Sequence, residues 1–214
     1  MSSDLAGRRL YLCTPARDDL AQFAGACLRG GVDIVQLRDK RLEARQLLES
    51  ARVLRGVCAG FGVPFIMNDR PDLALEVGAD GVHVGQDDAP ATLARRILGP
   101  EAIIGLSTHG PDDLAGAAAE PVDYISAGPV EATPTKPGRP GTGPGYVVSA
   151  VAAEHRPVFV TGGVTPSSVG ALADLGVTHF VVVRWLTEAD EPEKAAQALR
   201  DAIDRAIEHH AEAG

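Results

Sequence analysis

Cations, an amide and carboxylates occur at spacings that suit the binding of a phosphorylated substrate. Gln36, Arg38 and Lys40 are separated by single residues, so an extended backbone would place all three side chains on one side. Asp69 and Asp88 each follow a short apolar run. Two carboxylates sharing a site repel each other unless a cation lies between them. Mg²⁺ suits such a pair, because it binds one or two carboxylates and fills its remaining positions with water and phosphate oxygens.

Both sets of residues also have simpler explanations. The two cations could be surface charges at a solvated strand end, and Asp69 and Asp88 could each cap a following helix. Capping explains one acid well, but it explains two acids beside the cations poorly. Ser107 has two interpretations as well: it could hydrogen-bond a leaving group, or it could cap a helix. The neighbouring His109 has no identifiable acid partner, which argues against a hydrolase triad, and His83 and His179 are interpreted as structural.

Two further segments could bind an anion. Gly162 and Gly163 precede a predicted helix, where backbone N–H groups and the helix N-terminus favour negative charge, and Val183 and Arg184 end another predicted strand. Residues 129–145 form a Pro- and Gly-rich loop, in which Glu131 to Gly145 are predicted to form neither helix nor strand. Loops of this length in compact domains are usually lids or binding loops. Its polar residues that could cover a charged group are Thr133, Thr135, Lys136 and Arg139.

The elements that would position these residues alternate between short β-rich runs and longer Ala- and Leu-rich stretches. The predicted strands are Leu10 to Cys13, Ile34 to Leu37, Pro64 to Met67, Gly81 to Val84, Ile103 to Leu106, Tyr124 to Ala127, Val158 to Thr161 and Phe180 to Val183. The predicted helices are Asp18 to Arg29, Glu43 to Ala59, Pro71 to Val77, Pro90 to Leu98, Pro111 to Ala119, Tyr146 to Ala153, Pro166 to Leu175 and Glu191 to His210.

Eight such units predict an α/β fold, a (βα)8 TIM barrel, with residues 1–214 as one catalytic domain. A doubly wound open sheet fits the alternation almost as well, but it would normally carry a Gly-rich turn after its first strand, and none follows Cys13 here. In TIM barrels the reactive groups lie at the carboxyl ends of the strands. The sequence follows that rule repeatedly, as at Gln36, Arg38 and Ser107.

Composition narrows the class of function. The chain carries 20 Lys and Arg against 29 Asp and Glu, a formal charge of -9, which argues against binding to nucleic acid or to an anionic membrane. No apolar run approaches the length of a membrane span. Cys13, Cys27 and Cys58 show no metal or disulfide spacing, so they are interpreted as reduced, buried thiols. A cytoplasmic protein is expected, and a homo-oligomer is possible.

At these residues the sequence closely resembles the thiamine phosphate synthase family from Tyr11 to about Ala202. The segments that carry the resemblance are Val35-Gln36-Leu37-Arg38-Asp39-Lys40, Asn68-Asp69, Gly81-Val82-His83-Val84-Gly85-Gln86-Asp87-Asp88, Gly105-Leu106-Ser107, Gly128-Pro129, Thr133-Pro134-Thr135-Lys136 and Gly162-Gly163-Val164. Each segment is weak alone, but their joint order and spacing are specific.

The resemblance implies a transferase that joins a pyrimidine diphosphate to a thiazole phosphate with loss of pyrophosphate, assisted by Mg²⁺. Asp69 and Asp88 would hold the metal, and the residues that would bind the diphosphate substrate are Gln36, Arg38, Lys40, Asn68 and Lys136. Ser107 would contact the departing pyrophosphate. The residues that would bind the thiazole phosphate are Thr133, Thr135, Gly163, Val183 and Arg184. Arg38, Ser107 and Lys136 are the residues expected to act in catalysis.

The chain departs from the family at its eighth strand end, which reads Val183-Arg184-Trp185-Leu186 where many members resemble Val-Ile-Ser-Ala-Ile. Arg184 replaces a small hydroxyl residue, and it could either strengthen the phosphate contact or point outward. Two alternative functions stay open: a related thiazole tautomerase, and a non-catalytic regulator that binds thiamine phosphates. The joint presence of Asp69, Asp88 and the three cations counts against the tautomerase.

Overall fold

Eight parallel strands close into a barrel in the computed structural model, which describes residues 5–132 and 140–213. Each strand pairs with the next one along the chain, and β1 pairs with β8. The closed order confirms the TIM barrel and excludes the open doubly wound sheet. The strands are β1 (Leu10–Thr14), β2 (Ile34–Leu37), β3 (Phe65–Asn68), β4 (Gly81–Val84), β5 (Ile103–Thr108), β6 (Tyr124–Ala127), β7 (Val158–Thr161) and β8 (His179–Val182).

The helices pack around the outside of the barrel. They are α1 (Leu20–Arg29), α2 (Ala44–Phe61), α3 (Pro71–Val77), α4 (Ala91–Leu98), α5 (Pro111–Ala117), α6 (Gly143–Ala153), α7 (Val169–Ala173), α8 (Arg184–Thr187) and α9 (Pro192–Ala213). Most of the predicted elements agree with these bounds within two or three residues. None of the helices in the described part of the chain is long and apolar enough to cross a membrane.

Two of the predicted helices differ from the structure in their bounds, and one short helix was not predicted. The segment predicted as loop up to Gly145 contains the first turn of α6, which begins at Gly143; Pro144 fits there because the first helical turn needs no backbone N–H donor. Helix α7 is shorter than the predicted Pro166 to Leu175, since residues 165–168 form a separate hydrogen-bonded turn. Helix α8 was not predicted, and its buried Leu186 packs it beneath α9.

The core has two layers because strand side chains alternate between the two faces of the sheet. One layer fills the space between the strands and the helices. The other fills the barrel itself and consists of Leu5, Tyr11, Ile34, Ile66, Ile103, Tyr124 and Phe159. The rings of Tyr11, Tyr124 and Phe159 meet edge to face, with centroids 5.2 to 6.0 Å apart. This inner layer closes the barrel beneath the strand ends, so a ligand can enter from the carboxyl side only as far as these rings.

All three cysteines are free and buried, as the sequence indicated. Burial raises the pKa of the Cys27 and Cys58 thiols to about 12. A thiolate is the reactive form of cysteine, so both residues serve packing at neutral pH.

Candidate functional site

A cavity of about 480 Å³ lies at the carboxyl ends of the strands. Its position follows from alternation: the inner-layer residues point into the barrel, and the residues two positions further along each strand point the same way but end above the packed rings. The predicted site residues that line it are Gln36, Arg38, Asn68, Ser107, Gly163, Val183 and Arg184. The volume is in the range of pockets that bind small organic molecules, about 300 to 1,000 Å³.

Asp69 and Asp88 are in contact with each other, and Asp69 directly follows Asn68, which lines this cavity. Lys40 Nζ lies 2.9 Å from Asp69 Oδ2, and the Gly85 backbone N–H donates to Asp88 Oδ2 over 2.9 Å. Burial and the neighbouring Asp88 carboxyl raise the pKa of Asp69. Burial works against ionisation of Asp88 too, yet hydrogen bonds from Asp69 and Gly85 lower the pKa of Asp88. The two carboxyl groups therefore repel each other when both are ionised, and a nearby cation favours the ionised pair.

The backbone at Asp69 is in the left-handed region, with φ of 62°, the single non-glycine residue with positive φ in the described chain. A hydrogen bond from its N–H to the His83 carbonyl, 2.8 Å long, fixes this conformation. Strained backbone of this kind is concentrated at functional sites, where neighbouring contacts hold it in place. Here it turns the carboxyl group of Asp69 toward Asp88 and Lys40.

The capping explanation fails for both acids and for Ser107. The residues that precede the first turns of α3, α4 and α5 are Arg70, Pro90 and Gly110, and none of these helices has a side-chain cap. The Asp69–Asp88 pair fits Mg²⁺, whose usual protein ligands are one or two carboxylates. No group of three or more His, Cys, Asp or Glu residues that could hold a metal exists in residues 5–132 and 140–213.

Ser107 is buried in β5 and bonded to a residue that the sequence had assigned a structural role. His83 Nε2 lies 2.9 Å from Ser107 Oγ, and His83 Nδ1 lies 3.0 Å from the hydroxyl of Tyr124. Both His83 and Tyr124 line the cavity. Alternation along β4 places His83 on the inward face with Gly81 and Gly85, and this was the available signal. The partner of Ser107 is thus His83 on the adjacent strand, while His109 contacts the Gly128 carbonyl.

The turn after β7 brings two glycines to the opposite side of the cavity. Gly162 and Gly163 have φ of 98° and 80°, which side chains rarely allow. A Cβ at Gly163 would lie 2.8 Å from Glu131 Oε2, and a Cβ at Gly162 would lie 2.7 Å from the Val130 nitrogen. Helix α7 begins only at Val169 and has five residues, so the expectation that its N-terminus adds to an anion site here was wrong. In this turn, the backbone of the two glycines remains available to an anion.

Arg184 lines the cavity as the first residue of α8. The adjacent Trp185 is 41% exposed, and its Nε1 donates to the Ala195 carbonyl of α9 over 3.1 Å. Trp185 therefore ties the short helix to α9. This contact fixes the backbone that carries Val183 and Arg184 at the cavity wall.

The described ends of the loop after β6 are held together. The N–H groups of Thr142 and Gly143 donate to the carbonyls of Pro129 and Val130 over 2.8 and 3.1 Å, and Val130 N–H donates to the Thr161 carbonyl at the end of β7. The loop therefore starts and ends beside the glycine turn. The predicted site residues Thr133, Thr135 and Lys136 lie outside the described residues.

Known proteins that are similar to this chain belong to the family that its sequence resembles. A family model described as thiamine monophosphate synthase matches residues 10–186. A thiamine-phosphate synthase of Mycobacterium bovis (strain BCG / Pasteur 1173P2) is 46% identical over 95% of this chain and 98% of its own length. One of Thermobifida fusca (strain YX) is 48% identical over 92% of each chain.

A solved structure is similar over almost the same length. The thiamine phosphate pyrophosphorylase from Pyrococcus furiosus is 28% identical, covers 93% of this chain and 96% of its own, and superposes with a TM-score of 0.83. Both the family model and the two relatives extend over far more than half of this chain. The chain therefore belongs to the thiamine monophosphate synthase family.

Proposed function

We propose that this transferase makes thiamine phosphate by a dissociative route at the barrel rim. The substrates are 4-amino-2-methyl-5-hydroxymethylpyrimidine diphosphate and 4-methyl-5-(2-phosphoethyl)thiazole, or the carboxylated form of the thiazole. The bond from the pyrimidine methylene carbon to the diphosphate oxygen breaks, and pyrophosphate keeps the electron pair. The thiazole nitrogen then donates its lone pair to the methylene carbon, which gives thiamine phosphate.

The observation that carries the proposal is the division of the cavity into two unlike sides. Strands β2 to β5 contribute Arg38, Asn68 and Ser107 to the cavity wall, and the ends of β2 to β4 also carry the neighbouring Lys40, Asp69 and Asp88; β7 and β8 contribute two glycines, Val183 and Arg184. A departing pyrophosphate requires the first side, because it develops negative charge as the bond breaks. A phosphate that only anchors the second substrate requires the other side.

On the first side, Arg38 and Lys40 neutralise the diphosphate, Gln36 and Asn68 orient the pyrimidine diphosphate, and Ser107 contacts the departing oxygen. Asp69 and Asp88 would hold Mg²⁺, which supplies positive charge to the phosphate oxygens. On the second side, the Gly163 N–H, Val183 and Arg184 receive the thiazole phosphate. Thr133 and Thr135 add hydroxyl groups to that phosphate site, and Lys136 serves the pyrophosphate.

The route needs no base or nucleophile from the protein. The work left to the residues is to hold two substrates in line and to exclude water, and such positioning can lower a barrier by about 7 to 11 kcal/mol. The free, buried cysteines fit a reducing compartment, so the proposal includes a cytoplasmic location. The charge of -9 makes a nucleic-acid partner unfavourable.

The test is incubation of the purified protein with both substrates, with and without Mg²⁺, followed by measurement of thiamine phosphate and pyrophosphate. We expect both products in equal amounts and only with the metal. No product in either condition would exclude the synthase route. Conversion of a thiazole phosphate alone would support the tautomerase, and binding of thiamine phosphate without turnover would support the regulator.

A further inference from the structure

The cavity floor contains a continuous chain of buried hydrogen bonds that runs through five strands. It links Gln36 on β2 to Tyr11 on β1, then to Tyr124 on β6, to His83 on β4 and to Ser107 on β5. Every member is less than 9% exposed. Five polar side chains buried in contact with one another must satisfy each other, because an unmade hydrogen bond there costs about 1 to 3 kcal/mol.

The direction of donation along this chain follows from its first member. The Cys13 thiol donates to Gln36 Oε1 over 3.3 Å, which leaves Gln36 Nε2 to donate to the Tyr11 hydroxyl over 2.8 Å. Tyr11 accepts this bond, so its single proton is directed to the Tyr124 oxygen, 2.9 Å away. Donation from Tyr124 to Tyr11 instead would leave the Tyr11 proton without an acceptor in this chain.

The same logic continues to the cavity. Burial raises the pKa of both tyrosines, so each hydroxyl keeps one proton to donate. Donation from Tyr124 to His83 Nδ1 requires the proton of a neutral imidazole to lie on Nε2. His83 Nε2 then donates to Ser107 Oγ over 2.9 Å. Because the Ser107 oxygen already accepts a bond, its own proton remains for a group in the cavity.

A glycine on β5 makes room for this arrangement. A Cβ at Gly105 would lie 2.1 Å from Cζ of Tyr124 and 2.5 Å from Nδ1 of His83. Any side chain at this position would therefore displace the two rings that form the middle of the chain. The His83 and Tyr124 rings also stack, with centroids 5.5 Å apart and planes at 28°.

We infer that His83 is a positioning residue, held by the Gln36–Tyr11–Tyr124 chain as the Nε2-protonated imidazole, which makes Ser107 a hydrogen-bond donor toward the departing pyrophosphate. The inference rests on the proposed function for the identity of the group that Ser107 meets. The direction of donation along this chain of hydrogen bonds is a property of the ligand-free protein. It can therefore be measured without substrate.

The decisive measurement is the tautomer of His83 in the ligand-free protein. Protein labelled with ¹⁵N in the histidine rings is studied by long-range ¹H–¹⁵N correlation at neutral pH, and the His83 signals are assigned from their loss in His83→Gln. We expect the proton on Nε2. A proton on Nδ1 would overturn the inference, because the chain would then run from Ser107 toward Gln36.

Kinetics give a second, independent test. Tyr124→Phe removes the donor to Nδ1 and should lower kcat about tenfold, the value of one hydrogen bond. The KM values for both substrates should stay within about twofold, since substrate contacts are unchanged. The control is His155→Gln, a substitution on the exposed loop before β7, which should change neither parameter. A Tyr124→Phe enzyme with the wild-type kcat would overturn the inference.

Two substitutions at His83 separate its hydrogen bond to Ser107 from its packing. A Gln side chain can place an amide N–H near the position of Nε2, whereas Asn reaches only to the position of Nδ1. We expect His83→Gln to keep several times more activity than His83→Asn at similar thermal stability. Equal losses in the two variants would contradict the role assigned to Nε2.

The two proposals fail in different ways. A wild-type protein that forms no thiamine phosphate, but has His83 protonated on Nε2, would refute the proposed reaction and retain the polarity of the chain. An active enzyme with His83 protonated on Nδ1 would refute the inference alone. The tautomer measurement uses the wild-type protein and does not depend on the folding of any variant.

Discussion

The surroundings of Asp69 act on the ionisation of its carboxyl group in opposite directions. The carboxyl group is removed from water and lies against Asp88, both of which raise its pKa, while Lys40 lowers it. Two half-buried acids in contact beside Lys40 are an arrangement that a divalent ion would relieve. The left-handed backbone of Asp69 serves the same geometry and has no role in helix capping.

Replacing either acid should therefore affect turnover and leave the fold intact. We expect Asp69→Asn and Asp88→Asn each to lower the Mg²⁺-dependent rate about 100-fold, because several kcal/mol of charge stabilisation depend on the metal. Asp72→Asn, on the exposed face of α3, is the matched control and should keep the wild-type rate. Product formation measures the rate, and circular dichroism checks that the fold is intact. Normal rates in both variants would contradict the proposed metal site.

His179 makes the barrel sensitive to acid from the opposite end of the strands. Burial lowers the pKa of this imidazole to about 4. Between about pH 6.5 and 4 the unfolded chain binds a proton that the folded chain excludes, so stability is complete above that window and falls within it. The loss at pH 4 is about 3 kcal/mol.

The matching experiment is urea unfolding of the wild type and His179→Gln at several pH values from 7 to 4. We expect the free energy of unfolding of the wild type to fall more steeply with acid, by about 3 kcal/mol over the window. The exposed His155→Gln should follow the wild type. Parallel curves for His179→Gln and the wild type would contradict a depressed pKa at His179.

At the level of elements, both described ends of the β6–α6 connection lie beside the glycine turn that follows β7. Its ends are fixed by hydrogen bonds between residues 129–130 and 142–143, and Val130 is also bonded to the end of β7. The glycine turn packs directly against Pro129, Val130 and Glu131. A change in this connection should therefore alter the position of the glycine turn, where the thiazole phosphate is proposed to bind.

Lys136 in this connection is expected to act on the departing pyrophosphate. Lys136→Ala should lower kcat about 100-fold, the scale for loss of one group that stabilises developing charge. Lys194→Ala on the exposed face of α9 is the control and should be silent. Steady-state rates with both substrates saturating measure this effect. An unchanged kcat would show that Lys136 does not act on the departing pyrophosphate.

At the level of the whole molecule, α9 completes the outer layer of helices by packing against α1. Arg200 joins α9 to Asp33, whose carboxylate also accepts the N–H groups of Arg9 and Leu10 at the start of β1. Gly30 lies at the tightest point: a Cβ there would lie 2.3 Å from the Glu193 carbonyl oxygen and 2.7 Å from the Cβ of Ala196. The first and last helices thus meet through a residue that must lack a side chain.

Gly30→Ala should accordingly separate the two helices and destabilise the fold by about 1 to 3 kcal/mol, the usual cost of overpacking. Gly56→Ala is the matched control, because a Cβ at this helical position in α2 meets nothing within 4 Å. We expect that substitution to stabilise by about 0.5 to 1 kcal/mol. Urea unfolding measures both, and an equal response of the two variants would contradict the close contact at Gly30.

The sequence by itself determined the number and order of the strands and many of the residues that lie at their carboxyl ends. Alternation is a local property, so it placed Gln36 and Arg38 on one side of a strand end, and the apolar runs placed Asn68 and Ser107 at the ends of two further strands. Pro and Gly were less informative. They predicted loop through Gly145, where the first turn of a helix accommodates both residue types.

Only the tertiary structure decided which of these side chains touch. The bonds from His83 to Ser107 and from Lys40 to Asp69 join different strands, and their partners are set by the register and closure of the barrel. Helix α8 likewise depends on packing against α9. Contacts of this kind leave no local periodicity in the sequence, because the residues that make them are brought together only when the eight strands close.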